Sequence, residues 1–315
     1  MVNMNILVLG STGFIGTNLI FKLAEDKNNS ITAFDRTNSS FDIIKEKCGD
    51  SVKTVRGEFS DYDDFETLTK DIDIVYHLVS TTNPSLSNRD MKKEMADNVG
   101  CTISLLDACV KNKVKKLVFI SSGGTVYGKN FGEKFKEEDI TNPMCSYGIQ
   151  KLTIEKFLYL YNYLYGLDYR VVRLANPYGP HQRPNSGLGV ITTFAYKALT
   201  NEQIQIFGDG SVVRDFIYID DAIQGILKIA SVDTEEKVFN LGYGEGHSVL
   251  NVVDAIEKIL DKKLDVKFVE GRKADVPYSV LDTSRFERIC GGQKNLTLEQ
   301  GIEKLIDFLK KEYSI

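Results

Sequence analysis

"NILVLGSTGFIGTNL" (residues 5–19) decides how the rest of the chain is read. The apolar run 5–10 reads as a strand ending at Gly10, and the pattern that starts at Phe14 is helical. Between them Gly10, Gly13 and Gly16 recur at every third position. Glycine there permits the tight turn, lets backbone amides approach a pyrophosphate, and lets helix and strand pack closely. The helix N-terminus then offers aligned N–H donors to an anion. A glycine triplet alone is equally a plain strand-to-helix turn. Its place raises its meaning: it follows the first strand, and the next strand, "ITAFD" (31–35), ends in Asp35. A carboxylate at that point accepts bonds from a ribose diol and repels a 2′-phosphate, which favours NAD over NADP. Arg36 beside it partly offsets the repulsion. The expected cofactor cradle is Gly10, Thr12, Gly13, Phe14, Ile15 and Gly16, with Asp35 and Arg36 at the adenosine end.

Outward from this unit the alternation continues. "SVKTVRG", "DIVYHLVS", "KKLVFISS" and "DYRVVRLANPYGP" read as further strands, and residues 91–112 have helical periodicity. Repeated strand–helix–strand units predict an α/β fold, a Rossmann-like doubly wound parallel sheet. The pattern loosens after about residue 176, in a Pro/Gly/Asn-rich loop followed by short strands mixed with helices. The expected division is a dinucleotide-binding domain over 1–176 and a smaller mixed α/β lobe over 177–315. A segment near 212–242 is a candidate for return to the first.

The chain has 315 residues, 42% hydrophobic and 26% charged, with net charge −5. That mild acidity gives no reason to expect nucleic acid or a membrane surface as partner. No apolar run reaches the length of a membrane span, and the N-terminus lacks a basic stretch and cleavage site. The five cysteines, Cys48, Cys101, Cys109, Cys145 and Cys290, include no Cys-x-x-Cys and read as reduced thiols of a cytoplasmic protein, with Cys101 and Cys109 facing the core. His77, His181 and His247 have no metal-ligand spacing, so no metal is expected.

The tyrosine-rich stretch "SYGIQKLTIEKFLYLYNYLYGLDY" (146–169) raises a separate point. Of the 15 tyrosines only Tyr147 has a lysine, Lys151, four residues on. On a helix that offset sets both side chains on one face. An ammonium near a phenol favours the phenolate and lowers its pKa, which makes a general base. Alone, the pair is more often just a solvated helix face.

With "GSTGFIG", "SSGGTVYG" and "YGIQK" in order, the chain resembles the extended short-chain dehydrogenase/reductase family. Within it, the chain is similar to the NAD-dependent sugar-nucleotide epimerases of the UDP-glucose 4-epimerase type. The resemblance runs from about residue 4 to about residue 310. It implies NAD as cofactor, Tyr147 as base, and Lys151 as its partner on the nicotinamide ribose. It implies that Asn98 supports this pair, that Glu58 and Phe59 lie beside the adenine, and that Leu78, Val79 and Ser80 line the cofactor. Read without the resemblance, Asn98 is a polar residue bonding locally and the apolar ones are plain core. The family places a Ser or Thr where this chain has Gly123. Ser122 and Thr125 are the replacements to weigh, and Ser122 is preferred because it ends a strand; Ser121 reads as structural.

The resemblance further implies Asn176 and Arg214 at the diphosphate, Arg272 beside them, and Asp275 on the ribose. Guanidinium forks suit phosphate oxygens. Ser279, four residues after Asp275, stands where the family limits space beside the sugar C2 group. A small residue there implies that N-acetyl sugars are accepted along with UDP-glucose and UDP-galactose. A slip of one residue puts Tyr278 there and reverses the expectation. The activity implied is inversion at C4 through a transient 4-keto sugar. Gly124 and Thr125 argue against a 4,6-dehydratase, which needs carboxylates before "VYG". A 4-ketosugar reductase and a non-catalytic dinucleotide sensor are the alternatives. The resemblance also implies a homodimer built on residues 91–112 and the tyrosine-rich helix.

Overall fold

The first apolar run pairs as the alternation predicts. A computed structural model describes residues 4–84, 87–129, 132–184, 188–271 and 276–315. The chain divides into two compact units: Met1–Val126, Pro143–Val172 and Asp233–Val238 form one, and Tyr127–Asn142, Arg173–Val232 and Phe239–Ile315 the other.

Strand and helix alternate from the start. In order come β1 (Met4–Leu9), α1 (Phe14–Leu23), β2 (Asn29–Asp35), α2 (Asp42–Cys48), β3 (Val52–Arg56), α3 (Phe65–Leu68) and β4 (Ile74–His77). Then follow α4 (Met91–Met95), α5 (Cys101–Lys111), β5 (Lys116–Ser122), α6 (Ser146–Tyr165) and β6 (Asp168–Leu174). The helical run expected over 91–112 is not one α-helix: residues Ala96–Gly100 form a π-helical turn between α4 and α5. Such a turn inserts one residue into the ladder and re-aims the side chains on it.

The remaining elements are β7 (Asn176–Tyr178), α7 (Val190–Thr200), β8 (Ile204–Phe207), β9 (Val213–Tyr218), α8 (Ile219–Ser231) and β10 (Val238–Leu241). The chain ends with β11 (Gly246–Ser248), α9 (Val249–Leu260), β12 (Val266–Val269), β13 (Tyr278–Ser279), α10 (Ser284–Cys290) and α11 (Leu298–Tyr313).

The main sheet has seven strands in the order β10-β6-β5-β4-β1-β2-β3. β1 pairs in parallel with β2 on one side and β4 on the other. The strand order therefore reverses between β1 and β4, which is where an α/β sheet opens a crevice beyond its carboxyl ends. The central strands are apolar on both faces, as a sheet covered by helices on both sides requires: Leu7, Val8, Leu9, Leu117, Val118 and Phe119 have no exposed surface. In the second unit β11 and β13 flank β9, β7 also pairs with β9, and β8 and β12 form a separate two-stranded ribbon. No described helix is long and apolar enough to cross a membrane.

Candidate active site

The glycine turn sits at the reversal point. Gly10 has φ of +81°, and a Cβ there would lie 3.2 Å from the backbone of both Leu78 and Val79, at the end of β4. A Cβ on Gly16 would overlap the Gly10 carbonyl oxygen. Both glycines keep backbone against backbone at the mouth of the crevice. Gly13 caps α1 without a side-chain bond, so the first amides of a ten-residue helix are left for an anion.

Asp35 is 8% exposed at the end of β2. Its carboxylate accepts from Thr12 N at 2.7 Å, from Arg36 N at 2.8 Å and from Ser39 Oγ at 3.1 Å. A carboxylate has about four acceptor sites, so capacity remains for a ribose hydroxyl. Ser11, which the sequence reading passed over, is fully buried in the same turn with its Oγ unpaired. A cradle that any Cβ would fill, a capless helix start, an unpaired buried hydroxyl and a diol acceptor together fit an NAD molecule.

The neighbouring expectations divide. Glu58 turns back to the chain, accepting from Thr37 N at 3.1 Å and from Thr37 Oγ1 at 2.8 Å. Phe59, expected beside the adenine, is 3% exposed and packs against Phe65 and His77 at ring distances of 5.3 Å and 5.2 Å. Its apolar ring is part of the core. Val79 also packs partly on that core, and the backbone of Leu78 and Val79 closes against Gly10. Ser80 donates to Thr82 O at 2.7 Å. Cys109 is buried, whereas Cys101 is half-buried and donates to Ser60 O.

Asn98 lies on the π turn, and its side chain joins three segments. Its Oδ1 accepts from Thr81 N at 2.8 Å, and its Nδ2 donates to Thr81 Oγ1, Glu94 O and Gln150 Oε1 at 2.8, 2.9 and 2.8 Å. Glu94 Oε2 in turn accepts from Ser146 Oγ at 2.6 Å and from Gln150 Nε2 at 2.9 Å. All four side chains are under 9% exposed. This net grips Ser146 and Gln150, one turn apart at the start of α6, and so sets the rotation of that helix. Single-sequence reading missed Glu94, Ser146 and Gln150; the one signal was the position of Ser146 and Gln150 either side of Tyr147.

Tyr147 and Lys151 share the next face of α6. Lys151 is 5% exposed and donates from Nζ to Ile120 O at 2.9 Å, with Nζ 5.6 Å from the centre of the Tyr147 ring. Burial pulls the ammonium down to about 7, against the field of Glu155. Burial, with a smaller push from Cys145, also raises the Tyr147 phenol above its ordinary value. That is opposite to the lowering expected from the spacing. Removal from water disfavours the charged phenolate, and no lowering by the ammonium offsets it.

The turn after β5 carries the hydroxyls. Thr125 N and Val126 N donate to Ser122 O, and Ser122 is half-buried. Thr125 Oγ1 is buried and has no partner. Ser121 points elsewhere: its Oγ donates to Glu155 Oε1 at 2.5 Å.

In the second unit, Asn176 Nδ2 donates to Asp215 O at 3.0 Å, and Arg214 Nη1 donates to Val213 O and Val276 O at 2.9 and 2.6 Å. Ser279 is 4% exposed and stands opposite Arg214 in the β13–β9 pairing, while Tyr278 stands opposite Val213. Successive strand residues face opposite ways, so only one of Tyr278 and Ser279 can share the Arg214 face. Arg272 and Asp275 lie outside the described residues. A cavity of about 300 Å³ lined by His247, Asn251, Asp254, Lys258, Leu298 and Glu299 contains none of the expected site residues.

A dinucleotide cradle at the sheet reversal, with a Tyr-x-x-x-Lys pair on a helix of the same unit, defines a short-chain dehydrogenase/reductase fold and site. Over residues 6–242 the chain matches the NAD dependent epimerase/dehydratase family, and it belongs to that family. It is 31% identical to a putative UDP-glucose 4-epimerase of Methanocaldococcus jannaschii, over 97% of this chain and 98% of that protein. Among solved structures, UDP-glucose 4-epimerase of Thermotoga maritima with UDP-glucose superposes with a TM-score of 0.92 at 30% identity, covering 98% of this chain and all of the other. UDP-N-acetylglucosamine 4-epimerase of Methanobrevibacter ruminantium, in complex with UDP-N-acetylmuramic acid, gives 0.91 at 28% identity, covering 99% of this chain and 100% of the other.

Proposed function

We propose that the protein is an NAD-dependent UDP-sugar 4-epimerase acting on UDP-glucose and UDP-galactose, and on their N-acetyl forms. The observation that carries this reading is the Tyr147–Lys151 pair, held against the end of β5 in the unit that carries the glycine cradle. Bound NAD supplies the hydride acceptor and donor for C4 of the sugar. Tyr147 takes the O4 proton and later returns it. Lys151 stabilises the phenolate and meets the nicotinamide ribose. Asn98 holds the start of α6 in register with the loop after β4.

The O4 contact falls to Thr125, with Ser122 as the second hydroxyl. Leaving a buried hydroxyl unpaired costs about 1–3 kcal/mol, which a sugar oxygen would recover. Asn176 and Arg214 bind the diphosphate, joined by Arg272, with Asp275 on the uridine ribose. The small, buried Ser279 supports acceptance of an N-acetyl group. Exposed apolar residues on α6, with Tyr163 at 75% and Tyr159 at 62%, support a homodimer. The free cysteines support a cytoplasmic location.

The test is to incubate the protein as purified, with no cofactor added, separately with UDP-glucose and UDP-N-acetylglucosamine. C4-inverted products are expected from each. Stoichiometric oxidation of added NAD(P)H without inversion would instead identify a 4-ketosugar reductase. Tyr147→Phe removes the base and keeps the ring. It is expected to lower kcat by at least about a thousandfold, with UDP binding by calorimetry little changed. Near-normal turnover would rule the phenol out.

A further inference from the structure

A buried carboxylate lies one helical turn beyond Lys151 on the same face of α6. Lys151 and Glu155 are each 5% exposed. Neighbouring residues of β5 hold them both: Ile120 O accepts from Lys151 Nζ at 2.9 Å, and Ser121 Oγ donates to Glu155 Oε1 at 2.5 Å. Ser121 is itself 3% exposed, so its hydroxyl is committed to the carboxylate. A packing role alone would need no charge here. Burying an acid is costly unless something uses it.

We propose that Glu155 is a positioning residue of the epimerase reaction: its carboxylate, fixed by Ser121, keeps Lys151 an ammonium at the strand end. This rests on the reading of Tyr147 and Lys151 given above. A neutral amine could not stabilise a phenolate, so the pair fails if Lys151 loses its proton. Burial drives that loss, drawing Lys151 down to about 7, and Glu155 opposes it. From β4, His77 faces the ammonium; burial and then the Lys151 charge hold it neutral, down to about 3. From β5, the Phe119 ring lies 4.6 Å from Nζ. From β6, Tyr169 is pushed up to about 12, by burial first and then by Glu155. The remaining neighbour on α6 is Tyr147. The faces of the Phe119 and Tyr147 rings also favour the ammonium, and among these groups Glu155 is the only acid that does so.

The experiment is kcat against pH for UDP-glucose inversion by the purified holoenzyme and by Glu155→Gln. Glutamine keeps the volume and can still accept the Ser121 bond, but it has no charge. At about pH 8 kcat is expected to fall on the order of tenfold below wild type, against about twofold at about pH 6, with KM little changed. The alkaline limb thus moves to lower pH, and Glu155→Asp moves it back. A uniform fall across pH, or no fall, overturns the proposal and leaves Glu155 a packing residue. If the wild type inverts no UDP-hexose at any pH, the function itself is wrong and this inference falls with it. If Glu155→Gln does not fold, Glu155→Met is read the same way. If neither folds, Ser121→Ala decides: it frees the carboxylate to turn from Lys151, and an unchanged kcat–pH profile overturns the proposal.

Discussion

At the scale of single residues, the departure at Gly123 matters most. The two candidate hydroxyls near it differ in environment: Ser122 is half-buried, and Thr125 Oγ1 is buried and unpaired. Thr125→Val keeps the shape and removes the hydroxyl. It is expected to lower kcat on the order of a hundredfold, against less than about tenfold for Ser122→Ala. The reverse order would return the role to Ser122. Spacing revealed Tyr147 and Lys151 because four residues is one helical turn whatever surrounds the helix. Spacing could not reveal which way the phenol shifts. That depends on how much water the site excludes, and here burial raises it.

At the scale of elements, the β1–α1 turn was legible because its chemistry is local. Gly16 shows why: a Cβ there would strike the Gly10 carbonyl, and neither backbone can retreat. Gly16→Ala is expected to cost at least about 2 kcal/mol in urea unfolding and to leave the purified protein without bound NAD, measured by absorbance after denaturation. Wild-type stability with a full cofactor complement would show that the turn can relax. The π turn in the 91–112 helix was not legible, since its residues have ordinary helical periodicity. It is held by Asn98 bonding Thr81 and Gln150, 17 and 52 residues away. That the Phe59 ring packs into the core was not legible for a related reason. An aromatic next to a polar residue looks the same in sequence whether it faces a ligand or the core.

At the scale of the whole molecule, the apolar stripe of α6 lies outside the core of its own chain. Ile149, Leu160, Tyr163 and Leu164 are 47, 40, 75 and 53% exposed. Their spacing returns to one helix face. Large exposed apolar stripes mark association surfaces. On the proposed homodimer, wild type is expected to sediment as a dimer and the pair Tyr163→Glu and Leu164→Glu as a monomer. An unshifted dimer would place the interface elsewhere.

The sequence by itself determined the strand–helix alternation, the glycine turn, the carboxylate of Asp35 at the end of β2 and the Tyr–Lys face. Each follows from contacts within a few residues, or from a periodicity that survives any tertiary setting. Only the tertiary structure decided that Phe59 is core and that Glu94, Gln150 and Asn98 set the angle of α6. It alone showed that Ser121 serves Glu155 while Thr125 is left unpaired, and that burial governs the charges of Tyr147 and Lys151. Burial and distant hydrogen-bond partners exist only once remote segments have met, and no local pattern of residues records them.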